Sequence, residues 1–273
     1  MADLHNFLLI VVFSFQFSIT SAQELTVKVN CSNESVHSQS YFDNLLRELS
    51  NADEAFDKSV EEESPYQVHG LYLFRGNATD QIFRRCVHNA TSKTANLCPY
   101  TVGAKIVYDY CMSEDSNVSS LDILEYFKEI YMWNVKNITG TSVGSFDQVV
   151  TDTLSDIALE AAKGDRLGQK FATKEANYAA DNRTLYALGQ CTPDLSSLDC
   201  YTCLTDCIEQ LPSCCSGKLG GRVQFLSCNI RYEIYSFYGN APANRLPPPN
   251  GKSISQWHRN VYHFLTIRLS RKL

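Results

Sequence analysis

The sequence predicts an α+β protein made of two tandem copies of one disulfide-stapled unit, each an antiparallel sheet packed with two helices. Three observations carry this expectation. The cysteine-rich stretch from Cys191 superimposes on the first half, without a gap, when moved back by 117 residues. In both halves apolar residues at helical spacing are followed by short strand-like runs. Eleven cysteines stand behind a leader that reads as an export signal.

That leader, MADLHNFLLIVVFSFQFSITSAQ, has an apolar run from Phe7 to Ile19 and small residues at Ser21 and Ala22. It predicts a secretory signal peptide over residues 1–22, cleaved after Ala22. The run is short and interrupted by Ser14, Gln16 and Ser18, which argues against a membrane anchor. Export to the extracellular space places the cysteines where disulfides persist. A metal or redox reading of Cys200-Tyr-Thr-Cys203 loses ground accordingly. Seven sequons, at Asn30, Asn33, Asn77, Asn89, Asn117, Asn137 and Asn182, fit a secretory glycoprotein.

The repeat defines units over residues 26–129 and 134–239. Cys203 falls on Cys86, Cys215 on Cys98, Cys228 on Cys111, Gly220 on Gly103 and Arg222 on Lys105. Each unit reads as N-terminal strand material, a long helix, a second helix and antiparallel strands. Phe42, Leu45, Leu46 and Leu49 mark the first long helix; Phe146, Val149, Val150, Leu154 and Ile157 mark its counterpart at an offset near 104. The second helix carries Phe83, Cys86, Val87 and Ala90 in one copy. In the other it carries Cys200, Cys203, Leu204, Cys207, Ile208 and Leu211, with Asp194 or Ser196 as cap and Pro212 as stop. Gly221–Tyr235 reads as a hairpin, and Lys170–Tyr178 with Leu185–Gln190 adds strand material in the second copy. A unit of this size buries a modest core, so each disulfide is expected to add on the order of a few kcal/mol.

The repeat also suggests the pairing. Cys191 and Cys200 become Phe74 and Phe83 in the first copy. Two cysteines replaced together are most simply partners, with an aromatic contact taking the place of the bridge. The cysteines kept in both copies then suggest Cys86–Cys111 and Cys203–Cys228, and Cys31 remains for Cys98. The second unit has Val135 in place of Cys31, which leaves Cys207, Cys214 and Cys215 as an odd set. One pair among them is expected, such as Cys207 with Cys214 or Cys215, and one thiol is left free or intermolecular.

LYALGQCTPDLSSLDCYTCL, followed by LPSCCSGKLGGRVQFLSCNIRYEIYSFY, resembles the ginkbilobin-homologous, or stress-antifungal, domain of land plants. Tandem copies of that domain occur in cysteine-rich repeat secretory proteins, plasmodesmata-located proteins and ectodomains of cysteine-rich receptor-like kinases. The resemblance implies a sheet of about five strands with two helices. It also implies a mannose-type site, since the founding antifungal member binds mannose through an Asn, an Arg and a Glu. The Arg corresponds to Arg222 in Gly-Gly-Arg-Val and the Glu to Glu233; the Asn position lies near Lys136, flanked by Asn134 and Asn137, with Asn134 the candidate. The first copy has Lys105, Ser116 and Ser32 there, so no such site is expected in it. An Arg222–Glu233 pair could orient sugar hydroxyls, one end donating and the other accepting; the plainer reading is a salt bridge across adjacent strands.

The formal net charge is −6, yet residues 242–273 hold six Lys/Arg and no acid, so the body from 23 to 241 stands near −11. An acidic body speaks against nucleic acid. The chain has no Gly-x-Ser-x-Gly elbow, His-Glu-x-x-His, P-loop or dinucleotide fingerprint, and no His between His88 and His258 to serve a cysteine nucleophile. No enzyme, cofactor or metal is expected. Residues 240–273 read as a Pro-rich linker and a basic tail too polar to span a membrane, the composition of a truncated receptor-like gene product. The expected function is a secreted, non-enzymatic tandem binding module of plant defence or extracellular signalling. Candidate partners are mannose-containing glycans, receptor-kinase or other ectodomains, or a second copy through a sheet edge or the odd thiol. The alternatives are a structural interaction module without a sugar site and a soluble ectodomain of a receptor-like kinase.

Overall fold

A computed structural model describes residues 26–31, 34–35, 39–51, 56–61, 67–99, 101–116, 129–139, 143–166 and 168–238. The signal peptide, the sequons at Asn33 and Asn117, and the linker and tail from 240 lie outside the described residues.

Two five-stranded antiparallel sheets carry the fold. In the first, β1 (Thr26–Asn30), β6 (Lys105–Tyr108), β7 (Cys111–Ser116), β4 (Val68–Phe74) and β3 (Phe56–Glu61) follow one another across the sheet. In the second the order is β8 (Ile130–Trp133), β11 (Gly220–Gln224), β12 (Cys228–Glu233), β10 (Arg183–Cys191) and β9 (Phe171–Tyr178). The same topology thus occurs twice. Strands β2 (Glu34–Ser35) and β5 (Thr101–Val102) form a small separate pair. The hairpin expected as extra material in the second copy has a full counterpart in the first, β3 with β4. It escapes notice in the sequence because VHGLYLF is buried along its whole length and does not alternate.

Each sheet carries its helices on one face. Helices α1 (Gln39–Ser50) and α2 (Asp80–Leu97) cover the first through Leu45, Leu49, Cys86, Val87 and Ala90, which meet Tyr72, Ile106 and Tyr108. Helices α3 (Val143–Lys163) and α4 (Ser197–Glu209), with the short α5 (Leu211–Cys214), cover the second. Ser196 caps α4 by accepting the Asp199 N–H at 3.0 Å, and Pro212 stands in the first turn of α5, beyond the break at Gln210. Gly189 on β10 has no side chain because a Cβ there would lie 2.6 Å from Ile157 Cγ2 of α3.

The opposite faces of the two sheets meet each other. Strand alternation turns Leu71, Leu73, Val107 and Met112 away from the helices of the first unit, and they cluster with Ile130 and Leu226 of the second. Polar contacts complete the seam. Gln190 donates to the Phe74 carbonyl at 2.6 Å, Gly76 donates to Gln190 Oε1, and Arg75 donates to the Phe237 carbonyl at 3.2 Å. The Arg75 guanidinium also lies over the Tyr110 ring, 4.1 Å from its centre.

Disulfides join Cys31–Cys98, Cys86–Cys111, Cys191–Cys200, Cys203–Cys228 and Cys214–Cys215. Phe74 and Phe83 meet edge to face with centroids 5.1 Å apart, in the place that Cys191–Cys200 takes in the second unit. The last bridge differs from the example of a pair made by Cys207. The chain breaks at Gln210, so Cys214 and Cys215 fall beyond α4, while Cys207 stays on its inward face. Cys207 is fully buried and free, which withdraws it from a covalent dimer of this folded form.

Candidate functional site between the two sheets

The register of three strands brings the three candidate residues into one place. Asn134 donates its N–H to the Gly220 carbonyl at 2.8 Å, and Gly220 stands opposite Glu233. Two residues along, Arg222 stands opposite Arg231, and Met132 opposite Arg222 on the other side. With a side-chain period of two, Gly220, Arg222, Arg231 and Glu233 all turn to the face that meets the first unit. They line a cleft of about 200 Å³ together with Asn134, Met132 and Asp109 of the first unit. Trp133 and Tyr235 also line it, and about half of each side chain is exposed, 52% and 50%. Gly220 is what lets Glu233 in: a Cβ there would lie 1.9 Å from Glu233 Oε2.

The charges pair differently from the sequence expectation. Glu233 Oε1 accepts from Arg231 Nε and Nη2 at 3.3 and 3.2 Å, so its cation is Arg231 and not Arg222. Arg222 is committed elsewhere: Nη1 donates to the Tyr108 carbonyl of the first unit at 3.1 Å and Nη2 to Gln224 Oε1 at 3.0 Å. The antiparallel register decides this, since it sets Glu233 across from a glycine and Arg222 across from Arg231. Two guanidinium groups side by side need a counter-charge, and Asp109 supplies it, accepting from Arg231 Nη1 at 2.5 Å. Phe237 lies under the same guanidinium, its ring centre 4.2 Å away.

Burial pulls Arg222 down to about 9, with Arg231 pushing the same way and Asp109 opposing, so it remains a cation at neutral pH. Burial also lowers Arg231, but Asp109 and Glu233 outweigh it and hold the group above its usual value. Burial raises the Glu233 carboxyl, partly offset by Arg231. Glu233 Oε2 and Arg222 Nε are buried without a hydrogen-bond partner. The lining of the cleft thus combines charged groups and an amide with the aromatic residue Tyr235, a set suited to a neutral polyhydroxyl ligand. Asn134 Oδ1 accepts from the Lys136 N–H at 3.0 Å, which fixes the side chain at the cleft edge.

Sequence reasoning missed Asp109, Arg231, Trp133 and Tyr235. A signal for Asp109 existed in the repeat. The positions of Arg222 and Arg231 hold Lys105 and Glu114 in the first copy, which pair with each other at 3.2 Å. Exchange of that carboxylate for a second arginine leaves an imbalance that only another part of the chain can correct.

Among the described residues no cluster of His, Cys, Asp and Glu could hold a metal ion, and no helix is long and apolar enough to cross a membrane. Fold and site together define a class: a tandem, disulfide-stapled α+β ectodomain with a polar cleft at the seam of its sheets. The chain belongs to the salt stress response/antifungal family, whose model matches residues 26–118 and again 134–235. It is 38% identical over 253 residues to cysteine-rich receptor-like protein kinase 25 of Arabidopsis thaliana, covering 88% of this chain and 37% of that one. The chain thus spans little more than a third of that kinase's length. It is 36% identical over 206 residues to cysteine-rich repeat secretory protein 38 of the same plant, covering 74% and 79%. Identity with the antimicrobial ginkbilobin-2-like protein of Castanea crenata is 39% over 171 residues, covering 63% and 68%. The fold is that of the tandem ectodomain of the Arabidopsis thaliana cysteine-rich receptor-like protein PDLP8, with a TM-score of 0.63 at 19% identity over 78% of this chain and all of that one.

Proposed function

We propose that the chain is a secreted, non-enzymatic binding module of the plant extracellular space, and that its seam cleft takes a hexose of the mannose type at the end of a glycan. The observation that carries this reading is the meeting of Asn134, Arg222 and Glu233 in one cleft walled by Trp133 and Tyr235. On binding, the Glu233 carboxylate and the Arg222 guanidinium, whose unpartnered atoms are buried in this structure, turn to sugar hydroxyls, one accepting and the other donating, and the Tyr235 ring covers the apolar face of the pyranose. The relative named as an antimicrobial ginkbilobin-2-like protein supports a role in defence, and the one named as a secretory protein supports export.

Calorimetric titration with mannose and with mannose-terminated oligosaccharides tests it on the intact protein, on Glu233→Gln and on Trp133→Ala. Saturable binding that weakens at least about tenfold in both variants is the expected result. No heat with the intact protein overturns the sugar reading. It would favour the second one, a protein-recognition ectodomain, which the 38% identity to a receptor-like kinase supports.

A further inference from the structure

All eleven cysteines lie among the described residues, and Cys207 alone is outside a disulfide. It stands one helical turn beyond Cys203 on the inward face of α4, and both are buried. Its Sγ lies 3.5 Å from Sγ of Cys228, the sulfur already bonded to Cys203. That is contact distance between a thiol and a disulfide sulfur, in a pocket closed to outside thiols.

We infer that these three sulfurs form a sliding staple, in which Cys207 exchanges with the Cys203–Cys228 bridge to give Cys207–Cys228 and a free Cys203. The Cys207 thiol loses its proton, and the thiolate attacks Cys228 Sγ. A bond forms between Cys207 and Cys228 as the bond between Cys203 and Cys228 breaks. Cys203 leaves as thiolate and takes up a proton, so nothing is oxidised or reduced overall. The bridge moves along α4 by four residues, about 6 Å of helix rise. Strand β12 starts at Cys228 and carries Arg231 and Glu233, so the device acts on the strand that holds the cleft.

The thiolate requirement sets the pace. Burial pushes the Cys207 thiol well up, and the carboxylates of Asp206 and Glu129 add to the effect; the Phe225 backbone and the Lys105 ammonium pull against it. Exchange is slow at neutral pH and accelerates about tenfold per pH unit while the thiolate remains the minor form.

The test is disulfide mapping by mass spectrometry on protein incubated at a series of pH values, quenched with acid and alkylated. The expected product is a Cys207–Cys228 peptide pair accompanied by alkylated Cys203, formed faster at higher pH and absent from Cys207→Ser. In Cys203→Ser the expected result is a Cys207–Cys228 bridge and loss of every titratable thiol. Cys207 found alkylated at every pH with Cys203–Cys228 intact overturns the inference, and so does Cys207 linked to any cysteine but Cys228. Two free thiols in folded Cys203→Ser overturn it as well. Should that variant not fold, the wild-type mapping decides.

Discussion

Arg231 of the second unit donates to Asp109 of the first at 2.5 Å, and this contact joins the units at the edge of the cleft. The side chains are 13% and 35% exposed, so water only partly screens the pair. Removal of Asp109 leaves Arg222 and Arg231 side by side without their shared counter-charge. Asp109→Ala and Arg231→Ala are each expected to cost about 1–3 kcal/mol in chemical denaturation. A double-mutant cycle should return a coupling of about 1 kcal/mol or more. Additive losses would mean that the contact does not hold the seam.

Gly220 separates cleft geometry from fold stability. Gly220→Ala forces the Glu233 carboxylate out of its place, because the new Cβ would sit 1.9 Å from Oε2. That carboxylate ends a flexible side chain, so the expected cost in stability is only about 1 kcal/mol. Sugar binding should fall as far as in Glu233→Gln. Gly189→Ala offers the contrast: its Cβ meets Ile157 Cγ2 of the packed helix at 2.6 Å, and it should cost about 1–3 kcal/mol with the cleft unchanged.

Glu233 gives the protein a pH dependence of definite sign. Burial raises its carboxyl, so over a window above the usual carboxyl range the folded chain keeps a proton that the unfolded chain has lost. This contribution to stability is full below the usual value and is lost as pH rises through the raised one. Glu233→Gln abolishes it. Thermal melts of the two proteins from about pH 4 to about pH 8 should diverge in favour of the variant as pH rises. Parallel curves would refute the assignment.

The sequons should not be equally used. Asn182 is exposed at the turn between β9 and β10, in the left-handed region at φ 48°, and Asn137 is exposed beside the cleft strand. Asn89 lies within α2, and the hydroxyl of its sequon partner Thr91 is buried and donates to the Val87 carbonyl at 3.0 Å. Glycopeptide mapping of protein secreted from plant cells is expected to find glycan at Asn182 and Asn137 and little at Asn89. High occupancy at Asn89 would show attachment before α2 forms.

Much of the fold is legible in the residues because it rests on local periodicity and on a repeat. The apolar spacing of Leu45, Leu46 and Leu49, or of Val150, Leu154 and Ile157, needs only a helix to bring its members together. The change from Cys191 and Cys200 to Phe74 and Phe83 marks one contact in two chemical forms. Strand β4 stayed hidden because burial on both faces erases the alternation by which strands are read.

The chain alone thus determined that there are two like units and where their helices lie, while its family resemblance pointed to Asn134, Arg222 and Glu233. Only the tertiary structure decided what those residues touch. Strand register gave Glu233 to Arg231, and the docking of one sheet on the other turned Arg222 toward the Tyr108 carbonyl and brought Asp109 between two arginines. The contacts of Arg222 with Tyr108 and of Arg231 with Asp109 join residues far apart in sequence. Their energy depends on distances that no local pattern encodes, so they come into being only when the two sheets close on each other.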